Sequence, residues 1–149
     1  MVVTSMQSKK NASNSLPFAT FVARLAADYP EFHFRYGTKF SFRFPKTITL
    51  GPEEPYWELL ALHELSHAVL GHEDFNSDVE RLKMEAAAWD KAKELADQYK
   101  VTIDEDFIES QLDTYRDWLH KKSRCPKCGL TRFQDVNGIY RCPRCENFI

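Results

Sequence analysis

The chain predicts an α+β fold: a small antiparallel sheet, a helix hairpin carrying an HExxH zinc site, and a C-terminal zinc ribbon. Three observations predict it. Apolar residues alternate with polar ones between Phe32 and Leu50, while the segments on either side repeat at helical spacing. A buried-type helix carries His63-Glu64-Leu65-Ser66-His67. All four cysteines fall near the C-terminus, as Cys125-Pro126-Lys127-Cys128 and Cys142-Pro143-Arg144-Cys145.

Composition sets the frame for these elements. The 149 residues are 43% apolar, 28% charged and 13% aromatic, which suits a folded domain and is too aromatic for disorder. No apolar run approaches the roughly 18 residues of a membrane-spanning helix. Lys9 and Lys10 are not followed by the apolar stretch of a secretory signal, so the reading is a cytoplasmic protein with no membrane partner. Residues 1–14 read as a flexible tail, 15–120 as the main domain and 121–149 as the ribbon. Charge divides in the same place: residues 1–119 hold thirteen Lys and Arg against twenty Asp and Glu, whereas residues 120–149 hold seven against two.

Each element has its own signal. Ser15-Leu16-Pro17 starts a helix whose stripe is Phe18, Phe21, Val22 and Leu25, ended by Tyr29-Pro30. Phe32, Phe34 and Tyr36 alternate with His33 and Arg35, and Phe40, Phe42 and Phe44 with Ser41 and Arg43, around a turn at Gly37–Lys39. Thr47–Leu50 is a third strand. Tyr56–Leu70 carries Leu and Val on all sides and reads as a buried helix ended by Gly71-His72. Ser77 and Glu80 form a capping box for a long helix to about Tyr99, with Val79, Leu82, Ala86, Trp89 and Ala96 facing inward. Asp104 opens a fourth helix along Phe107, Ile108, Leu112, Tyr115 and Leu119, and 121–124 form a basic linker.

HExxH is a chemical constraint on a helix. His63 and His67 lie one turn apart on one face and can share a metal, and Glu64 projects beside them as a general base. Two histidines and a carboxylate among Leu, Ala and Val would each cost several kcal/mol if buried unpaired. A metal removes that cost. The positions of a metzincin's third ligand hold Leu70 and Glu73 instead, and His72 sits far around the helix if helical spacing continues. If the chain folds into an antiparallel hairpin about position 74, residues 81–85 come level with 63–67, and Glu85 is the acidic residue there on the inner side.

The run from His63 to His72, followed by Met84-Glu85-Ala86-Ala87-Ala88-Trp89, resembles the ImmA/IrrE metallopeptidases. These are small gluzincins whose motif reads HELxHxxLGH followed by a Glu-Ala pair. The resemblance covers roughly residues 15–100. It implies that His63, His67 and Glu85 bind a catalytic zinc, that Glu64 is the catalytic base, and that the substrate is a protein such as a DNA-binding transcriptional repressor. Two features depart from the family: the glutamate helix continues through Lys93–Asp97, and a repressor-like N-terminal domain is missing from this sequence. The SprT-like DNA-associated metalloproteases also join HExxH to a zinc ribbon, but their third histidine has no counterpart here. A third reading is a non-enzymatic DNA- or protein-binding regulator in which HExxH holds a structural metal.

Two CxxC pairs separated by thirteen residues fit one structural zinc held by Cys125, Cys128, Cys142 and Cys145. Strands at Arg132–Val136 and Ile139–Arg141 flank a hairpin turn at Asn137-Gly138. The surplus of Lys and Arg makes the ribbon a candidate dock for nucleic acid, with Phe133 and Tyr140 as its stacking surfaces.

Overall fold

The structure, a computed structural model, describes residues 15–52 and 55–146. The expected tail at 1–14 lies outside the described residues. Among the described residues four helices, α1 (Ser15–Asp28), α2 (Trp57–Val69), α3 (Asp78–Tyr99) and α4 (Glu105–Ser123), combine with β1 (His33–Tyr36), β2 (Ser41–Arg43), β3 (Thr47–Leu50), β4 (Phe133–Gln134) and β5 (Tyr140–Arg141). The class is α+β. The described residues divide into two compact units, one with those up to Glu73 together with Lys91–Ile103, the other with Asp74–Asp90 and those from Asp104 onward.

In the first unit the sheet differs from the antiparallel one expected. Its order is β1-β3-β2, with β2 antiparallel to β3 but β1 parallel to it, in register from His33 opposite Thr47 to Tyr36 opposite Leu50. Period-two alternation assigns side chains to faces and leaves the neighbour of each strand open. The strand with two fully buried residues, Ile48 and Leu50, takes the centre. The segment from Gly37 to Phe40 therefore carries the chain from one side of β3 to the other rather than closing a hairpin. Its geometry depends on glycine: a Cβ on Gly51 would stand 2.9 Å from the Gly37 carbonyl oxygen, and one on Gly37 would stand 2.6 Å from the Thr49 methyl.

Helix α2 packs on β2 and β3. As its sequence predicts, it is largely buried, with Trp57, Leu59, Leu62, Leu65 and both HExxH histidines inside, but its ends are open: Tyr56, Val69 and Leu70 are exposed. Phe18, Val22 and Leu25 of α1 join that core, with Phe18 and Phe21 edge-on to Trp57. Burying each such aliphatic or aromatic side chain stabilises by about 1.5–3 kcal/mol. The end of α3 completes this unit: Tyr99 donates a hydrogen bond to Asp28, and its ring packs edge-on to Phe21.

In the second unit, Ser77 caps α3 by accepting from the Glu80 N–H at 3.1 Å, and the Glu80 carboxylate accepts from the Asn76 N–H at 3.0 Å. The capping box forms with its return bond one residue early. Ala88 and Trp89 are buried, but Val79 is half exposed and belongs to no core. Asp104 caps α4 by accepting from the Phe107 N–H, and Ile108 and Leu112 are its buried residues. That helix runs on through Lys121 and Lys122 to Ser123, where the sequence suggests a linker. Lys122 in its last turn makes a 2.9 Å ion pair with Asp78, the buried first residue of α3. Asp78 also accepts from the Tyr140 hydroxyl at 2.7 Å, and its N–H donates to Gln134 at 2.8 Å. Four residues spread over sixty positions of sequence thus tie α3, α4 and the β4–β5 hairpin together.

Candidate metal centres

Helix α2 places its two histidines as the spacing requires. The imidazoles of His63 and His67 approach through their Nε2 atoms at 3.2 Å with rings nearly perpendicular. Both are more than nine-tenths buried. Two nitrogens bound at about 2.0–2.1 Å to one tetrahedral zinc stand about 3.3–3.4 Å apart, and the separation here is close to that. His63, His67 and Glu85 each offer a ligand atom, and the three atoms all lie within 4.8 Å of one another. The His2Glu set can hold a metal, and its spacing is consistent with zinc. Glu64, half-buried, follows His63 on the same helix.

The surroundings of His67 explain why its ring stands where it does. Phe42 of β2 lies parallel to it at 6.5 Å between ring centres. On its other nitrogen, Nδ1, it meets Nδ1 of His72 at 2.8 Å. Straight helical spacing would carry His72 away from this face. The helix instead stops in a left-handed turn at Gly71, φ 68°, which brings the chain back. His72 stands outside the ligand set, and its contact with His67 does not follow from the HExxH spacing.

The second group is the ribbon's. Cys125 and Cys142 are buried, Cys128 is half-buried and Cys145 exposed, with all four sulfurs within 4.8 Å of one another. Cys125 and Cys145 are 3.9 Å apart, and Cys128 and Cys142 are 3.5 Å apart. A disulfide needs about 2.05 Å, whereas sulfurs sharing a tetrahedral zinc at about 2.3 Å stand about 3.8 Å apart. The donor set fits zinc. Each CxxC turn points backbone N–H groups at its first sulfur. Those of Cys128 and Lys127 bring Cys125 down to about 6, and that of Cys145 lowers Cys142. The hydrogen bond to Cys128 pushes Cys145 up to about 12. A cation bound to the four sulfurs favours their thiolate forms.

The hairpin between the CxxC turns is shorter than expected, two residues a strand, with Phe133 opposite Arg141 and Gln134 opposite Tyr140. Its turn is held by Asp135, which accepts from the Asn137 and Ile139 N–H groups at 2.9 Å and pairs with Arg141. Gly138 takes φ 83° in it. Tyr140 is not the open stacking surface the sequence suggests. Its hydroxyl is given to Asp78, and Lys122 and Arg132 lie over its ring at 5.8 and 5.4 Å. Phe133 is half exposed, and Lys121, Arg124, Lys127 and Arg144 face solvent.

The Asp78 cluster is not legible in the sequence, because its members are single polar residues without a motif. No described helix is long and apolar enough to cross a membrane. Comparison of the chain with family models, with curated proteins and with solved structures finds no match.

Proposed function

We propose that this protein is a zinc metallopeptidase of the ImmA/IrrE kind, in which His63, His67 and Glu85 hold a catalytic zinc and Cys125, Cys128, Cys142 and Cys145 hold a structural one. The observation that carries the reading is that His63, His67 and Glu85 offer ligand atoms within 4.8 Å of one another, and that Glu64, which follows His63 in the chain, is the residue that an HExxH hydrolase uses as its base. Zinc bound there supplies a Lewis acid that polarises the scissile carbonyl and acidifies water. Glu64 takes the proton from the attacking water and returns it to the leaving amine. The Phe42 ring and the buried walls of α2 limit the water around His67.

A protein substrate suits the flank of this site. Strand β2, which carries Phe42, is an edge strand among the described residues, paired with β3 alone. An extended peptide can add to such an edge through backbone hydrogen bonds. The resemblance points to a transcriptional repressor as that substrate. The ribbon, with seven Lys and Arg against two acids in residues 120–149, is the part suited to an anionic partner such as nucleic acid.

Glu64→Gln tests the reading. The variant should keep both zincs and lose cleavage of repressor-derived peptides by roughly 10²–10⁴-fold, the usual contribution of a positioned base. Cleavage at the wild-type rate would remove Glu64 from the mechanism.

A further inference from the structure

The feature that the metal site leaves unexplained is His72. Helix α2 ends in a Schellman motif: the Gly71 N–H donates to the Ala68 carbonyl at 3.1 Å and the His72 N–H to the His67 carbonyl at 3.0 Å. In that motif the residue two past the cap lies over the residue three before it, and the pair makes a side-chain contact, commonly apolar. Here the pair is His72 and His67, and the contact is a 2.8 Å approach of two Nδ1 atoms, with ring centres 5.0 Å apart. At that distance one nitrogen donates and the other accepts.

We propose that His72 is a positioning residue: it accepts the Nδ1–H of His67 and so fixes the tautomer and ring angle that present Nε2 to the metal. This rests on the reading of His63, His67 and Glu85 as a zinc site. A histidine that binds metal through Nε2 carries its proton on Nδ1 and gives it to an outer partner, usually a carboxylate, a carbonyl or water. In this chain the partner is a second imidazole delivered by the helix stop. Gly71 sets the path of the chain, Phe42 packs parallel to the His67 ring, and His72 holds the edge that faces away from His63. The Gly71-His72 pair therefore ends the helix and aims its last ligand in one turn.

The test uses the full-length protein, its zinc content by elemental analysis and its affinity by competition with a chelator. His72→Phe keeps the ring contact and removes the acceptor; His72→Asn returns an acceptor oxygen near the place of Nδ1. His72→Phe should weaken the His-site zinc about 10–100-fold and leave the ribbon zinc unchanged, while His72→Asn should stay within about threefold of wild type. In the zinc-loaded protein the His67 Nδ1–H should appear as a protected imidazole proton in ¹H–¹⁵N spectra, present in His72→Asn and absent from His72→Phe. Two zincs in the wild type with unchanged affinity in His72→Phe overturn the proposal alone, as does an equal loss in both variants, which marks a packing role. A wild type holding one zinc, unaffected by His63→Ala, overturns the zinc-site reading and this proposal with it. If His72→Phe does not fold, His72→Ala takes its place in the same comparison with His72→Asn.

Discussion

Replacing Asp78 with Asn removes one negative charge from a nearly enclosed position and leaves its shape intact. The carboxylate is 5% exposed and accepts from the Tyr140 hydroxyl at 2.7 Å, the Lys122 ammonium at 2.9 Å and the Gln134 amide at 3.4 Å. A hydrogen bond to a charged group contributes about 1.5–3 kcal/mol, and the Tyr140 bond belongs in that range. The Lys122 side chain is 46% exposed, so its share is about 0.5 kcal/mol. The long Gln134 contact adds little. Asp78→Asn should therefore cost about 2–3 kcal/mol in urea unfolding at fixed free zinc, a condition required because metal bound to the folded state adds to its stability. Tyr140→Phe should cost about 1.5–3 kcal/mol, and the double variant should fall short of the sum by about 1 kcal/mol. Burial by itself would raise the Asp78 carboxyl, but the Lys122 and Tyr140 hydrogen bonds and the Lys122 charge hold it below 3.8. A depressed carboxyl contributes fully above its unfolded value and loses the contribution as pH falls through its folded value. The Asp78→Asn loss should thus be the same at about pH 5.5 and about pH 7.5. Additive single effects, to within about 0.3 kcal/mol, would refute the account of Asp78 and Tyr140 as one buried pair.

Three further outcomes follow from the geometry. Elemental analysis should find two zincs per chain, with Cys142→Ser removing one and melting the ribbon signals in NMR spectra, because so small a hairpin relies on metal for its folding energy. Lys100, which follows α3 at φ 55°, stands in the left-handed region without the freedom of glycine, so Lys100→Gly should stabilise by about 0.5–1 kcal/mol in chemical unfolding. Gly71→Ala should destabilise by about 1 kcal/mol although nothing lies within 4 Å of the added Cβ, since the cost is the positive φ alone; a neutral result would mean that the Schellman turn relaxes.

The parts of this molecule legible in its sequence are those set by local periodicity. Helix α2 and the burial of most of its length, α3 with its Ser77–Glu80 cap, and α4 from its Asp104 cap follow from the order of apolar and polar residues and from capping chemistry. The convergence of His63 with His67 is also local, one helical turn, and so is each CxxC turn. Glu85 required a step beyond periodicity, the guess of a hairpin about position 74.

Local order therefore reaches as far as the side chains that share a helix face or a tight turn, because backbone geometry repeats every few residues and constrains those neighbours directly. Long-range packing set the remainder. The parallel pairing of β1 with β3 came from the claim of the most apolar strand on the centre, and alternation is blind to that choice. The turn of Tyr140 toward Asp78 came from a buried carboxylate that needed donors, which three separate segments supplied. His72 came to His67 because a single glycine left the helical path, and one residue of positive φ redirects everything after it. Local spacing is a sum over neighbours, whereas burial and polar satisfaction are settled only when the whole chain has closed around them.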